Sequence, residues 1–193
     1  MRKLLLLVVC LVAFASALQA QEDEKFQAGV FADYFRSGAT GTNMFGLGGR
    51  AGLDLVPHVT LEGDVAYDFN RGFNNAFSYD GGGAAFITSG VRTLDAFFGP
   101  RYTITNGRVR PFVELKAGFI DYMFNNVPVG STSVSNGIQN LINQNINAAL
   151  LFGGGVERKA GPVVLRLDVA DQIYFNHGAQ QGLRVTFGPL IRF

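Results

Sequence analysis

The sequence predicts an all-β chain that closes as an eight-stranded antiparallel up-and-down transmembrane β-barrel, and three observations predict it. Segments of about ten residues alternate apolar and polar side chains along most of the chain after residue 25. Hydrophobic residues make up 48% of the chain and charged ones only 16%, yet beyond residue 20 no run approaches the roughly 20 apolar residues of a membrane helix. The apolar content is therefore dispersed over short elements. Gly 25 and Phe 18 stand beside no Trp, a composition that suits strands and turns better than helices.

Residues 1–20 come first and belong to a different class. Arg2 and Lys3 precede an apolar stretch from Leu4 to Phe14, and small residues lead into the acidic Glu22, Asp23 and Glu24. That order predicts a cleaved secretory signal peptide, with cleavage after Ala20, or after Ala17, which has Ala15 and Ala17 in small-x-small spacing. The apolar stretch is too short for an uncleaved anchor. Cys10 lies inside it rather than after it, which argues against a lipoprotein. Removing Arg2 and Lys3 leaves 14 basic against 15 acidic residues, a net charge of −1 that implies no nucleic-acid partner. Cys10 is the only cysteine, so the expected barrel domain, residues 21–193, has no disulfide to stabilise it.

The eight strands follow in order. The first two are expected over 26–36 and 44–55, the latter with Arg50 and Asp54 on the inner parity. In the third, Val59, Leu61, Val65 and Tyr67 alternate with Thr60, Glu62, Asp64 and Ala66. Segments 93–104 and 108–122 place Asp95, Arg101, Arg110, Glu114 and Lys116 on that same parity, and 147–158 adds Glu157. In the seventh, Val163, Leu165, Leu167 and Val169 oppose Val164, Arg166, Asp168 and Ala170. The last is the clearest, with Leu183, Val185, Phe187, Pro189, Ile191 and Phe193 on one face and Arg184, Thr186, Gly188, Leu190 and Arg192 on the other.

Connections alternate between tight turns near Pro57, at 105–107 and at 159–162, and mostly longer segments at 37–43, 70–92, 123–146 and 175–182. With an even strand number both termini lie at the tight-turn end, which would face the periplasm. Segment 123–146 reads as a solvated loop or a short helix around Ile138 to Ile146. A soluble sandwich or lipocalin-type barrel would reverse the two faces. Its core would then have to hold nearly all the Leu, Val and Phe side chains, more than a barrel of this size can enclose.

With the charged parity inward, Arg50, Arg101, Arg110, Lys116, Arg166, Arg184 and Arg192 face Asp54, Glu62, Asp64, Asp95, Glu114, Glu157 and Asp168, seven of each sign. Charges taken from bulk water must be paired or hydrated, so an ion-pair network is expected to fill the neutral lumen. Inner glycines, among them Gly46, Gly48, Gly52, Gly99, Gly153 and Gly155, leave room for long side chains opposite. The network is either packing or, if Glu62, Glu157, Arg101 and Arg166 re-pair, a narrow gated pore.

Several pieces, in this order, resemble the small outer-membrane β-barrel family that includes the transmembrane domain of OmpA-like proteins. They are Leu61-Glu62-Gly63 with Tyr67, Gly99-Pro100-Arg101-Tyr102, Arg110-Pro111-Phe112, Gly153-Gly154-Gly155-Val156-Glu157, Leu165-Arg166-Leu167-Asp168 and the terminal Phe193. The resemblance spans nearly the whole barrel domain. It implies salt bridges among Glu62, Arg101, Glu157 and Arg166, and a Phe193 read by the barrel assembly machinery. It also implies a place in the outer membrane of a Gram-negative envelope, against lipid and lipopolysaccharide. The chain stops at Phe193 without the periplasmic wall-binding domain of full-length OmpA-like proteins, which puts wall anchoring in doubt.

Little in the sequence points to catalysis. His58 sits at a tight turn, and His177 lies in an outer connection without a nearby Ser. Two distant histidines and no cysteine in the barrel domain make no usual transition-metal site, and no cofactor is expected. The clusters Gly46-Leu47-Gly48-Gly49 and Gly81-Gly82-Gly83 lack the following Lys-Ser/Thr of a phosphate loop. The expected function is a non-enzymatic structural or surface-interaction barrel whose outer loops contact a surface ligand. The alternatives are a porin-like small-solute channel and, more remotely, a lipid A-modifying enzyme dependent on His177.

Overall fold

The computed structural model describes residues 25–38, 41–78, 84–125, 146–176 and 178–193. The expected leader, the cleavage sites, His177 and all of the 138–146 segment except Ile146 lie outside the described residues. Eight strands run β1 Phe26–Ser37, β2 Asn43–Val56, β3 Val59–Ser78, β4 Ala84–Thr103, β5 Val109–Asn125, β6 Ile146–Ala160, β7 Val163–Phe175 and β8 Ala179–Arg192. Each pairs antiparallel with its sequence neighbour, and β8 returns to β1, so the sheet is a closed barrel without an edge. The seam is sealed by a reciprocal pair: the Phe26 amide donates to the Phe193 carbonyl and the Phe193 amide to the Phe26 carbonyl, both at 2.9 Å.

The register fixes the stagger. Pairing leads from Ala28 through Ala51, Gly63, Phe98, Ala117, Leu150 and Ile173 to Gln181. The Gln181 carbonyl then accepts from the amide of Gly38, ten residues beyond the start. Such a shear tilts the strands by roughly 35–45° and narrows an eight-stranded barrel until side chains fill it.

The period-two pattern dictates which side chains do the filling. Along β7 Val164, Arg166, Asp168, Ala170, Gln172 and Tyr174 are buried, while Leu165, Leu167, Val169 and Phe175 are exposed. The same parity holds in every strand whose faces were assigned, so Arg101 and Glu157 are fully buried and Val30 and Phe152 are each 63% exposed. This inverts a soluble protein and forms a continuous apolar outer belt.

Two expectations are corrected. Segment 70–92 is not an open loop: β3 runs to Ser78 and β4 starts at Ala84, so the hairpin continues well past the belt. Its Asn, Gly and Ser residues read as loop by composition, but the ladder between Arg71↔Val91 and Ser78↔Ala84 satisfies the backbone there. The β1–β2 and β7–β8 connections are also short, spanning only 38–42 and 176–178, so tight and long ends differ less than expected.

Candidate functional site

The lumen gathers the charges the alternation assigned to it, together with two that were missed. Asp33 and Asp68 are buried on the inner wall. Among the described residues the lumen therefore holds nine carboxylates against seven cations, rather than seven of each. Both lie on readable parity: Asp33 falls in the first strand, and Asp68 is one step past the Val59–Tyr67 alternation.

From the tight-turn end upward, the network begins at Glu157. This carboxylate pairs with Arg101, with Arg110 at 3.0 Å and with Arg192 at 2.8 Å. Arg101 also donates to Gln27 and Thr60 at 3.1 Å each and lies 3.7 Å from Glu62. Glu62 accepts from Lys116 at 2.7 Å and from Arg166 at 2.5 Å. Arg166 extends to Glu114 at 2.8 Å and Asp168, and Asp168 holds Arg50 at 2.9 Å. All six residues expected to form the network, Glu62, Arg101, Glu157, Arg166, Arg50 and Asp168, thus belong to one connected cluster. Glu157 and Arg166 are direct cross-strand partners in the ladder, yet their side chains pair with other residues, Glu157 with Arg101 and Arg166 with Glu62 and Asp168.

Aromatic rings are threaded between these charges. Phe112 packs under Arg166 at 4.3 Å and Arg101 at 5.3 Å, and Phe31 under Arg50 at 4.4 Å. Each ring occupies space that a glycine leaves: a Cβ on Gly155 would sit 2.6 Å from the Phe112 ring, and one on Gly48 would overlap Phe31. Gly99 and Gly153 do otherwise, facing the backbone of the neighbouring strand. Guanidinium over an aromatic face adds stabilisation where water is excluded.

Higher up, Lys116 reaches Asp64 at 2.6 Å and Arg184 pairs with Asp33 and Asp95 at 3.0 Å each. Asp33, Asp68 and Asp95 bring ligand oxygens within 4.8 Å of one another, the spacing of a hard-cation ligand set, although the Arg184 cation already faces two of them. Above this level the wall turns apolar. Phe35, Met44, Val91, Ile120, Leu151, Tyr122 and Tyr174 form a buried cluster, and the Ser37 hydroxyl lies 3.4 Å from the Tyr122 hydroxyl and 3.2 Å from that of Tyr174. A cavity of 10 Å³ between Arg50, Glu114, Asp168 and Arg184 has room for about one water.

His58 has a structural place. With Pro57 it makes the two-residue β2–β3 turn, at φ 71°, where its ring Nδ1 donates to the Thr103 carbonyl at 2.7 Å and its face packs on Tyr102. The ring belongs to the turn: its other nitrogen, Nε2, lies 3.4 Å from the side-chain amide nitrogen of Asn106. Phe193 stacks on Phe26 with centroids 6.5 Å apart, so the terminal residue forms part of the closing seam.

No protein-family model matches the chain, and no curated protein matches its sequence. Among solved structures it is similar to Neisserial surface protein A, with a TM-score of 0.53 at 14% identity over 87% of this chain and 97% of that one. It also aligns with the attachment invasion locus protein Ail of Yersinia pestis, solved with the heparin analogue sucrose octasulfate (TM-score 0.49, 16% identity, 88% and 97% covered). A major outer membrane protein of Thermus thermophilus aligns at TM-score 0.48 and 14% identity, over 87% and 99%. The likeness to the Neisserial protein shows a shared fold, that of the small eight-stranded outer-membrane barrels, as the sequence pieces implied.

Proposed function

Taking that fold as the premise, we propose that this chain is an exported outer-membrane protein, freed of residues 1–20, whose sealed barrel serves as a rigid, non-enzymatic scaffold for surface interactions. The apolar belt of the outer wall supports residence in lipid, because a sheet satisfies every backbone group there only when it closes into a barrel. The tight-turn end faces the periplasm, and the β3–β4 hairpin with the other outer connections reaches past the membrane to lipopolysaccharide or a surface ligand. The assembly machinery engages the strand that ends at Phe193.

The observation that carries the scaffold reading over a channel is the filled lumen. The chain of ion pairs from Arg192 and Glu157 up to Arg184 and Asp95 packs the lumen with buried side chains, and the cluster of Phe35, Met44, Tyr122 and Tyr174 adds a layer of rings and apolar side chains. Conductance of the refolded chain in a planar lipid bilayer tests this, with heat-modifiable gel mobility to confirm closure. The expected record is silent. Reproducible unitary steps from folded protein would establish a channel instead. The lipid A-modifying alternative has a separate test: it requires a lipid A profile that changes with the chain and reverts on His177→Ala.

A further inference from the structure

The lumen charge is not evenly distributed along the barrel axis. Near the outer cap, Asp33, Asp68 and Asp95 converge around one guanidinium, Arg184. At the opposite end the balance reverses. There the barrel opens into a cavity of 420 Å³ whose lining includes Lys25, Arg110 and Arg192, with Asp54 as the single lining carboxylate among the described residues. Glu157 lies behind these cations, fully buried and shared among three guanidinium groups.

Arg110 is the informative member. Its side chain is 8% exposed and its Nη2 is ion-paired to Glu157 at 3.0 Å, while its Nε has no hydrogen-bond acceptor among the described residues. A guanidinium carries five donors in a fixed fork that matches an oxyanion, and buried donors normally find acceptors. Asp54 does not fill that place: it stands 4.0 Å from Arg192 and accepts the hydroxyl of Thr60. A cavity of this size falls within the range of about 300–1,000 Å³ that small ligands occupy.

We infer that the tight-turn end of the barrel is a binding site for a small oxyanion, a phosphate or carboxylate group, held by Arg110 and Arg192 with Lys25 at the rim. The binding chemistry has two sources. One is a free polyanion entering from the solvent. The other is the run Glu22-Asp23-Glu24, which immediately precedes Lys25 and brings three carboxylates on the same chain. Tethering would give that run a high effective concentration at the cavity.

Calorimetric titration of inorganic pyrophosphate into the refolded chain from Gln21 to Phe193, in neutral detergent at low salt, tests the site. A second arm uses the Glu22→Gln, Asp23→Asn, Glu24→Gln variant. Binding to the parent chain identifies a site open to free anions, and binding to the triple variant alone identifies the chain's own acidic run as the occupant. In the chain that binds, Arg110→Gln is expected to weaken the affinity about tenfold, the loss of a charge-assisted contact. Lys25→Gln, at the rim, is expected to weaken it by a smaller factor and covers the case in which Arg110→Gln fails to fold. No heat with either chain overturns the inference, as does an affinity that both single substitutions leave unchanged.

Discussion

At the scale of single residues, each lumen charge depends on how many partners it serves. Arg166 serves Glu62 on β3, Glu114 on β5 and Asp168 on its own strand, all buried. Arg166→Met would keep the bulk but take a counter-charge from three buried carboxylates, leaving Lys116 shared between Glu62 and Glu114 and Arg50 on Asp168, so we expect it to destabilise the barrel by about 3 kcal/mol, measured by urea unfolding in phospholipid vesicles. Asp68 is the opposite case. Its Thr93 hydrogen bond at 2.6 Å survives in an amide, while its charge only adds to the crowd around Asp33 and Asp95. Asp68→Asn should therefore be neutral or stabilising by about 1 kcal/mol. A loss as large as that of Arg166→Met would show that the Asp68 charge is itself required. His58 stands apart from both, since its ring is committed to a turn and to the Thr103 carbonyl.

At the scale of elements, strand contacts fix what a substitution can do. In β6 a side chain at Gly155 would meet both the Phe112 ring and the Leu167 carbonyl of the neighbouring strand. Gly155→Val should abolish the folded, heat-modifiable band, because backbone cannot move aside without breaking the ladder. The outward Gly63 has its nearest neighbour at 3.5 Å, so Gly63→Ala should leave that band unchanged. Next to β8, the terminal Phe193 contributes both a reciprocal backbone pair and a ring stacked on Phe26. Phe193→Ala retains the backbone bonds and loses the ring, and we expect less folded barrel in membranes for want of that signal. Normal levels would restrict Phe193 to its backbone role. Sequence reading met its limit at this same scale. The alternation found all eight strands, but β3 and β4 were cut short where Asn, Gly and Ser replace apolar residues. Beyond the belt, no lipid demands a hydrophobic face, so a paired strand there carries no period-two signature.

At the scale of the whole molecule, two different layers block the lumen, one apolar and one ionic. Removing the rings in a Tyr122→Ala, Tyr174→Ala double variant should leave the barrel electrically silent, because the Glu62–Arg166–Asp168 network still fills the section beneath. Unitary steps from that variant would mean that the tyrosine layer alone is the seal.

What the sequence determined by itself was the barrel, its strand count and the face of each side chain. Those follow from a period of two, which is local: a residue's neighbours two positions away decide whether it meets lipid or lumen. It also determined most of the charges that would be enclosed, to which the structure adds Asp33 and Asp68 on the same inner parity. Beyond the Glu62, Arg101, Glu157 and Arg166 set that the resemblance implied, only the tertiary structure decided the partners, because a stagger of ten residues brings Arg50 beside Asp168 and Arg184 beside Asp95 across strands that are distant in sequence. The axial separation of charge, acidic beneath the outer cap and basic at the cavity of Arg110 and Arg192, has the same origin. Strand register sets height in a barrel, and register is a property of the closed sheet rather than of any one strand.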